Sequence, residues 1–491
     1  MSRINQNIAS LLAQRLATTN TRMLTASLER LSTGYRINRG SDSPAGLISS
    51  ENLRSEMRGI SAAIGNAERA EQFANTAEGG LQEISSMLVE VQGLIGQSAN
   101  QAGLSDEERD ANQLQIDSIL STIDRLANSV SFQGTKLLNG NFDYTLSGNY
   151  TASDGFASVR VNSVRLSDTP GSNLAVTVTV TQSAQTAAAA LVLSGGVLRN
   201  GNSGAVTFEI AGAHGAQQFS FTSGTTQAQM VTAINAFTEA LGVSASNSGV
   251  HVRINSTGYG SDAFVRIREV ANANTSTNFA TTGAIGAVAQ DVRDEGRDAT
   301  VNVNGVVATA RGLTARVALD GFDISVTLLG NNSINVDDAS RSFRITGGGA
   351  NFNLAPEVSL AGKVSLGIGS VTTGSLGNAA RGFLSEIRSG GSASIQSGNL
   401  TRAQDIVGDA ITQVSSLRGR LGAFTKHVVG ATMNSLNVAY ENSAAAESAI
   451  RDTDFAAETA SMTRNQILQQ ASLRALSLAN EFPRSVLRLL E

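Results

Sequence analysis

The sequence has no cysteine and no tryptophan, and aromatic residues make up only 4% of its 491 residues. The absence of cysteine excludes disulfides and thiolate metal sites. With so few aromatic rings, the core must be built from aliphatic side chains and alanine. The net charge of −5 provides no basic surface for nucleic acid, so we expect no nucleic-acid partner.

Long apolar runs are also missing. No stretch of about 18 consecutive apolar residues occurs, so we expect no membrane insertion. Residues 1–20 interleave apolar side chains with Asn, Gln and Arg, and they lack the apolar centre of a secretory signal peptide. If the protein leaves the cell, it takes another route.

Two distant segments carry apolar residues in alternating steps of three and four. This is the heptad spacing, which places an apolar seam along one side of a helix. Alanines in the middle of the first seam would let a second helix approach closely. We therefore predict that the two segments pack on each other within one molecule as a rod, and that the middle of the chain is an insertion. The seam residues are Ile60, Ala63, Ala67, Ala70, Ala74, Ala77, Leu81, Ile84, Leu88, Val91 and Ile95 in the first segment, and Val407, Ala410, Val414, Leu417, Leu421, Phe424, Val428 and Ala431 in the second.

A narrow apolar stripe also runs along each end of the chain. Isolated helices are marginal in water, and these stripes are too narrow to form a core, so another surface must cover them. Spacing alone gives equal weight to a partner within the molecule and to a second copy of the chain. Pro483 is predicted to interrupt the last helix. The stripe residues are Ile4, Ile8, Leu11, Leu24, Leu28 and Leu31 near the N-terminus, and Leu468, Ala471, Ala475, Leu478, Leu487 and Leu490 near the C-terminus.

Helix signals bound the first seam. Pro44 suits the first position of a helix, which is predicted to run to about Ala99 and to span roughly 80 Å. Ser105 and Glu108 then have the spacing of a capping box, so the next helix is expected to fold back on the long one.

The pattern changes to short strands after Phe132. Residues 141–364 are rich in Gly, Ser, Thr, Asn and Val. Helical patterns are predicted again at Ala379–Ile387 and from Leu400 to about Glu441. The strand candidates include 205–211, 249–254, 263–270, 300–310, 322–329 and 342–346, with one helix at about 226–241.

Four motifs near the two ends give the chain a resemblance to bacterial flagellin. They are RLSTGYRINRGSDSPAGL at 30–47, AEGGLQEISSML at 77–88, SFQGTKLLNG at 131–140 and IRDTDFAAETASMTRNQILQQAS at 450–472. A weaker resemblance, around Ile234 and Asn235, is to the flagellin hook IN module.

The resemblance implies an α+β multidomain fold. Long coiled-coil-like helices from both termini would form a rod, with a mainly β (α+β) outer insertion. Residues 1–45 with 450–491 would form a helical filament-core domain, and 46–175 with 365–449 a helical rod domain with a β-hairpin. Residues 176–364 would form the outer, variable β-rich part, including the hook IN-like unit at about 205–270.

The implied function is that of a structural subunit, secreted and extracellular, which polymerises into the flagellar filament for swimming motility. The terminal stripe residues would then be inter-subunit contacts. The implied partners are other copies of the chain, a flagellar export chaperone at the C-terminal helix, and the hook-associated junction and cap proteins.

Two alternatives are a hook–filament junction protein of the same family and a secreted adhesin or host-sensing ligand. The ending at 465–470, NQILQQ, and the large insertion favour the filament subunit.

The residues give little reason to expect an enzyme, a cofactor or a metal. Asp452, Asp454 and Glu458 form a carboxylate cluster, but acidic residues there are better explained by the start of a helix. The three histidines are scattered, and no H-E-x-x-H motif occurs.

Overall fold

A computed structural model of the chain describes residues 7–100, 103–166, 173–193, 205–249, 251–272, 278–281, 291–330 and 335–488. Within these ranges the helices are α1 (Ile8–Thr33), α2 (Pro44–Ser98), α3 (Asp106–Ser129), α4 (Gln227–Asn235), α5 (Thr238–Leu241), α6 (Leu400–Ala423), α7 (Gly430–Arg451) and α8 (Phe455–Arg488). A π-helical segment, Phe424–Val429, joins α6 to α7 without a break.

Short-range hydrogen bonds set the helix ends. The Asn7 side chain accepts from the Ser10 N–H at 3.0 Å and caps α1, and Gly34 ends that helix with a φ of +74°. Ser105 and Glu108 form the predicted capping box of α3, since each side chain accepts from the other's backbone N–H.

The chain divides into two compact units. The terminal unit comprises Met1–Arg69, Asn353–Gly362 and Lys426–Glu491. The central unit comprises Ala70–Phe352 and Lys363–Thr425. The terminal unit is therefore built mainly from the two ends of the chain, and the central unit from its middle.

In the terminal unit, α1 packs antiparallel on α8. A second, smaller cluster joins α2 to α7 through Ile60, Ala63 and Leu436. The segment Asn353–Gly362 also lies against α2, because the Asn66 side chain donates to the Asn353 carbonyl at 3.2 Å.

In the central unit, α2, α3 and α6 bury apolar faces. Gln115 on α3 donates to Glu90 on α2 at 3.3 Å, and Arg418 on α6 lies 3.9 Å from Glu78 on α2. The side chain of Phe73 makes edge-on ring contacts with Phe132, Phe142 and Phe352.

All of the longer strands lie in the central unit. In chain order the strands are β1 (Ser131–Phe132), β2 (Thr135–Lys136), β3 (Tyr144–Gly148), β4 (Phe156–Val164), β5 (Leu174–Gln182), β6 (Ala188–Val192), β7 (Ala205–Ala211), β8 (Ala216–Thr222), β9 (Val243–Ser248), β10 (His251–Ser256), β11 (Phe264–Asn272), β12 (Asn278–Thr281), β13 (Asp291–Glu295), β14 (Thr300–Val303), β15 (Val306–Val307), β16 (Thr309–Arg311), β17 (Thr314–Leu319), β18 (Phe322–Leu328), β19 (Ala339–Gly348), β20 (Ala350–Asn353), β21 (Lys363–Leu366), β22 (Gly377–Asn378) and β23 (Gly382–Phe383).

One β core lies between a five-stranded sheet, ordered β15-β14-β5-β19-β3, and a four-stranded sheet, ordered β16-β17-β18-β4. Strand β5 shows why this region folds as a sheet. Its alternate residues Val176, Val178 and Val180 are fully buried, and the threonines between them point away from the core, as the two-residue period of a strand requires.

The other β core lies between two four-stranded sheets, ordered β12-β6-β10-β9 and β13-β11-β7-β8, and includes α4. Asn235, at the end of α4, fixes the helix to β9. Its side chain donates to the Ala245 carbonyl at 3.0 Å and accepts from the Ala245 N–H at 2.7 Å. The amide thus satisfies both polar groups of one strand residue.

The predicted fold class is confirmed: long helices from both ends combine with a β-rich insertion. The helix predicted at Ala379–Ile387 is wrong, because the segment forms the short strands β22 and β23 and a 3₁₀ turn at Leu384–Ile387. Gly377 and Gly382 both have positive φ, at 121° and 123°, which is incompatible with an α-helix. Strands β6, β8 and β9 were not predicted from the sequence.

Candidate interaction surface of the terminal helices

Small and polar residues form the contact between α1 and α8. On α1 the buried residues are Ala13, Ala17 and Ser27, and Ser472 is the buried residue in the part of α8 whose side chains are described, 455–481. The half-buried residues of α1 continue the same steps of three and four: Ser10, Asn20, Leu24 and Leu31. Small side chains at these positions allow the two helix backbones to approach closely.

Hydrogen bonds extend along the whole contact. The Asn7 side chain donates to the Ala479 carbonyl at 2.7 Å, and the Asn20 side chain donates to the Leu468 carbonyl at 3.2 Å. Nearer the other end of the pair, Asn465 donates to the Ser27 hydroxyl at 3.2 Å. Rising numbers on α1 thus meet falling numbers on α8, which defines an antiparallel pair.

Pro483 does not interrupt α8, so that prediction is wrong: the helix runs on to Arg488. A proline has no N–H and therefore cannot bond the carbonyl four residues earlier, which here is that of Ala479. The Asn7 side chain donates to this same carbonyl. Asn7 thus caps α1 and also supplies the hydrogen bond that Pro483 withholds from α8.

The large apolar side chains of the two helices mostly point away from this contact. Ile8 is 67% exposed, Leu11 60% and Leu478 72%. Of the other stripe residues, Leu28 and Leu468 are exposed, as are Ala471 and Ala475, and Leu24 and Leu31 are half-buried. Ile4 and Leu490, together with the side chain of Leu487, lie outside the described residues. Further exposed apolar residues that the sequence-based stripes did not include are Leu12, Leu16, Met23, Ile467 and Leu473.

The connector between α7 and α8 holds the start of the terminal pair in place. The Arg451 guanidinium lies 4.6 Å from the ring centre of Tyr35 and 3.3 Å from Glu51. The Arg36 N–H donates to the Arg451 carbonyl at 2.7 Å. Backbone N–H groups of Arg39 and Asn38 donate to the Asp42 carboxylate and lower its pKa.

Each acid of the carboxylate cluster has a local partner. Asp454 accepts from the N–H groups of Ala456 and Ala457 and so caps α8. Asp452 accepts from the Ser448 hydroxyl at 2.6 Å, and Glu458 lies 3.7 Å from Arg30. In the parts of the chain that the structure describes, no group of three metal-ligating residues is found.

The predicted seam residues of α2 and α6 are buried. Ile60, Ala67, Ala74, Leu81, Leu88, Ile95, Val407, Val414 and Leu421 are each at most 1% exposed. The register changes at the π-helical segment, where the next buried residue after Phe424 is Val429 rather than Val428. Val428 is half-buried, because a π turn takes in one more residue than an α turn.

The small residues that form the α1–α8 contact were missed in the sequence, although their spacing carries a signal. Ser10, Ala13, Ala17, Asn20, Leu24, Ser27 and Leu31 step by three and four throughout. Leu24 and Leu31 were predicted, but as contacts between subunits. The smaller residues of the pattern are hidden because leucines and an isoleucine on the neighbouring face are more hydrophobic.

The two ends of the chain form paired helices that expose large apolar residues, and the middle of the sequence forms the β sheets. This combination defines the class of protein. None of the helices in the described ranges is long and apolar enough to cross a membrane. The family descriptions "Bacterial flagellin N-terminal helical region" and "Bacterial flagellin C-terminal helical region" match residues 4–143 and 404–490. The chain belongs to the bacterial flagellin family.

Several relatives match over nearly their whole length. The B-type flagellin of Pseudomonas aeruginosa is 29% identical over 99% of this chain and 99% of that protein. The polar flagellin F of Vibrio parahaemolyticus is 27% identical with the same coverage. Among solved structures, the flagellar junction protein FlgL from Legionella pneumophila aligns with 83% of this chain and 100% of its own, at 13% identity and a TM-score of 0.25.

Proposed function

We propose that the protein is the structural subunit of the bacterial flagellar filament, secreted from the cell and polymerised outside it for swimming motility. The observation that carries this proposal is that α1 and α8 use different residues for their mutual contact and for their exposed surface. Small and polar residues join the two helices, and the large apolar residues remain open to other molecules.

The open stripes supply a driving force for assembly. Burying one leucine or isoleucine side chain contributes roughly 1.5–3 kcal/mol. Five such residues, Ile8, Leu11, Leu28, Leu468 and Leu478, are exposed in the single chain. Their burial between subunits would contribute on the order of 10 kcal/mol before the cost of ordering is subtracted.

The proposed geometry of assembly is a head-to-tail contact, in which the stripes of one copy meet a different surface of the next copy. A head-to-tail contact of this kind produces an open helical filament unless the rotation closes into a ring.

The proposal also includes three other partners and a structural, non-enzymatic role. An export chaperone would cover the exposed leucines of α8 before assembly, and junction and cap proteins would meet the ends of the filament. The role is structural rather than enzymatic. Casein incubated with purified filaments should therefore stay intact, and its cleavage would contradict that part of the proposal.

Electron microscopy of the purified chain in a salting-out buffer, which strengthens apolar burial, tests the main proposal. The full chain should form long uniform filaments, and a version lacking residues 1–40 and 455–491 should not. Filaments from the shortened version would overturn the assembly role of the terminal helices. Assembly of the full chain only at a hook tip would point instead to a junction protein.

A further inference from the structure

Two adjoining cavities lie in the central unit, between strand β4 and helix α6. Their volumes are about 340 Å³ and 620 Å³. Ser158, Arg160, Asn162, Gln413 and Arg420 line both. Cavities that hold small ligands usually measure about 300–1,000 Å³, so each has room for a molecule the size of a monosaccharide.

Two of the four arginines that line these cavities are paired with carboxylates. Arg316 donates two hydrogen bonds to Asp323, at 3.0 Å and 2.7 Å. Arg381 donates to Asp409 at 3.1 Å, and Asp409 also accepts from Asn378 at 2.6 Å. The charges of these two arginines are therefore already balanced within the protein.

The other two arginines have no carboxylate partner. Arg420 donates to the neutral side-chain oxygen of Asn162 at 2.5 Å and makes no ion pair with a described residue. The Arg160 side chain makes neither a hydrogen bond nor an ion pair with any described residue. Its side chain is open to the water of the cavity, but protein surrounds it on most sides, and this desolvation lowers its pKa. Desolvation likewise lowers the pKa of Arg420.

Asp143 is the remaining charged group in the wall of the smaller cavity. It makes no ion pair with either arginine, although the positive charges of both favour its ionised form, and it accepts a hydrogen bond from the Tyr144 N–H at 2.8 Å. Burial raises the pKa of its carboxyl group. Even with Asp143 ionised, two unpaired guanidinium groups leave an excess of one positive charge, which suits a ligand with a single negative charge.

The rest of the wall is rich in hydrogen-bonding groups. Ser158, Asn162, Asn378 and Gln413 line both cavities, and Thr314, Thr327 and Ser416 line the larger one. Hydroxyl and side-chain amide groups suit the hydroxyls of a sugar, and a guanidinium matches a carboxylate through two parallel hydrogen bonds. We propose that this site binds a sugar acid with one carboxylate, such as a uronic acid, with Arg160 and Arg420 holding the carboxylate.

Calorimetric titration of the full-length, unassembled chain with sodium glucuronate tests the site. Two control ligands are titrated at the same ionic strength. Glucose measures the binding contributed by the hydroxyls, and sodium acetate measures the binding contributed by the carboxylate. Glucuronate should bind with a dissociation constant of about 1 mM or lower, and the other two compounds should bind at least about tenfold more weakly. Absence of glucuronate binding at about 10 mM would overturn the proposal, as would equal binding of acetate.

The variants Arg160→Gln and Arg420→Gln make the test specific. Each should weaken glucuronate binding about tenfold or more, because a charge-assisted hydrogen bond is lost. The matched control is Arg311→Gln, which removes an exposed arginine of the same unit, paired with Asp262, and should leave binding unchanged. Unaltered binding by both cavity variants would contradict the proposed site.

A second measurement distinguishes a binding role from a structural one. Arg160 and Arg420 carry like charges that repel each other in the empty protein, so Arg160→Gln should raise the melting temperature without ligand. The same variant should lose the further rise that glucuronate gives the unmodified chain. A lower melting temperature of the empty variant would mean that Arg160 supports the fold, which would overturn its assignment to the ligand.

Discussion

At the scale of single residues, Asn7 combines two tasks that usually fall to separate groups. It caps α1 and bonds the Ala479 carbonyl that Pro483 leaves without a helical donor. The proline and the asparagine are therefore expected to be energetically coupled, although 472 residues separate Asn7 from Ala479.

Asn7→Ala should destabilise the terminal pair by about 1 kcal/mol or more, since it removes a cap and leaves a carbonyl unbonded. In a chain that also carries Pro483→Ala, residue 483 can supply its own N–H, so Asn7→Ala should cost about 0.5 kcal/mol less. Melting of assembled filaments, followed by circular dichroism, measures both differences. Equal costs in the two backgrounds would contradict the coupling.

Asp298 is a second residue with a defined energetic role, in the β-rich part of the central unit. Its carboxylate accepts from the backbone N–H groups of Gly312 and Ser261 and from the Ser261 hydroxyl. The Gly312 hydrogen bond is the main cause that lowers the Asp298 pKa. A lowered pKa means that the folded chain binds this proton less readily than the unfolded chain does.

The stability that Asp298 contributes should therefore be present above about pH 4, the ordinary value for aspartate, and be lost as the pH falls through the lower, folded pKa. Asp298→Asn should cost about 1 kcal/mol at pH 7, with a smaller difference from the unmodified chain at pH 3. Urea unfolding at the two pH values measures this. The control is Asp320→Asn, an exposed partner of Arg165, and a pH dependence as large in that variant would refute the assignment.

At the scale of elements, the π-helical segment between α6 and α7 accommodates one extra residue. Phe424 and Val429 are both buried and lie five positions apart, whereas an α-helical face repeats after three or four. The residues between them include Lys426 and His427, which are exposed. The extra residue of the π turn therefore lies on the exposed side of the helix, where its side chain does not have to pack in a core.

Deleting His427 should convert the π turn into an α turn and keep both buried residues on one face. We expect the helix content to be unchanged and the free energy of unfolding to change by no more than about 0.5 kcal/mol. Deleting Thr412, an exposed residue inside α6, is the matched comparison. It would turn the following residues by about 100° and should cost more than about 3 kcal/mol. Circular dichroism measures the helix content and urea unfolding measures the stability. Equal effects of the two deletions would contradict the prediction.

The same elements explain how much the sequence could predict. The seams of α2 and α6 could be predicted because apolar residues, whether alanines or larger aliphatic residues, repeat in steps of three and four over many turns. The positions of the buried residues after Phe424 could not be predicted, since a π turn depends on local geometry that heptad spacing does not encode. Strand β8 shows another limit: its alternation of apolar and polar residues is confined to Phe219, Ser220 and Phe221, which is too short to mark a strand. The resemblance implied that the two ends form one domain, but the small residues of the α1–α8 contact were not predicted, because its alanines and serines are less hydrophobic than the exposed leucines beside them.

At the scale of the whole molecule, assembly should depend on side chains that the single chain does not bury. Leu11→Asp and Leu478→Asp each place a charge in an exposed stripe, where burial between subunits would be costly. Each variant should keep its helix content and fail to form filaments. Sedimentation and electron microscopy follow assembly, and circular dichroism follows the fold.

The control for these variants is Leu319→Asp. It makes the same substitution at an exposed leucine of β17, outside the terminal helices, and should leave filaments intact. Normal filaments from the Leu11 and Leu478 variants would show that the stripes are not the contact between subunits.

The antiparallel pairing of α1 with α8 also has a consequence for synthesis. At about 5–20 residues per second, a ribosome needs on the order of a minute to make the stretch that separates Asn7 from Ala479. Throughout that time α1 has no helix with which to pair. A chain whose synthesis stops before α8 cannot close the pair, and under the proposed role of the terminal helices it would also lack half of the surface needed for assembly.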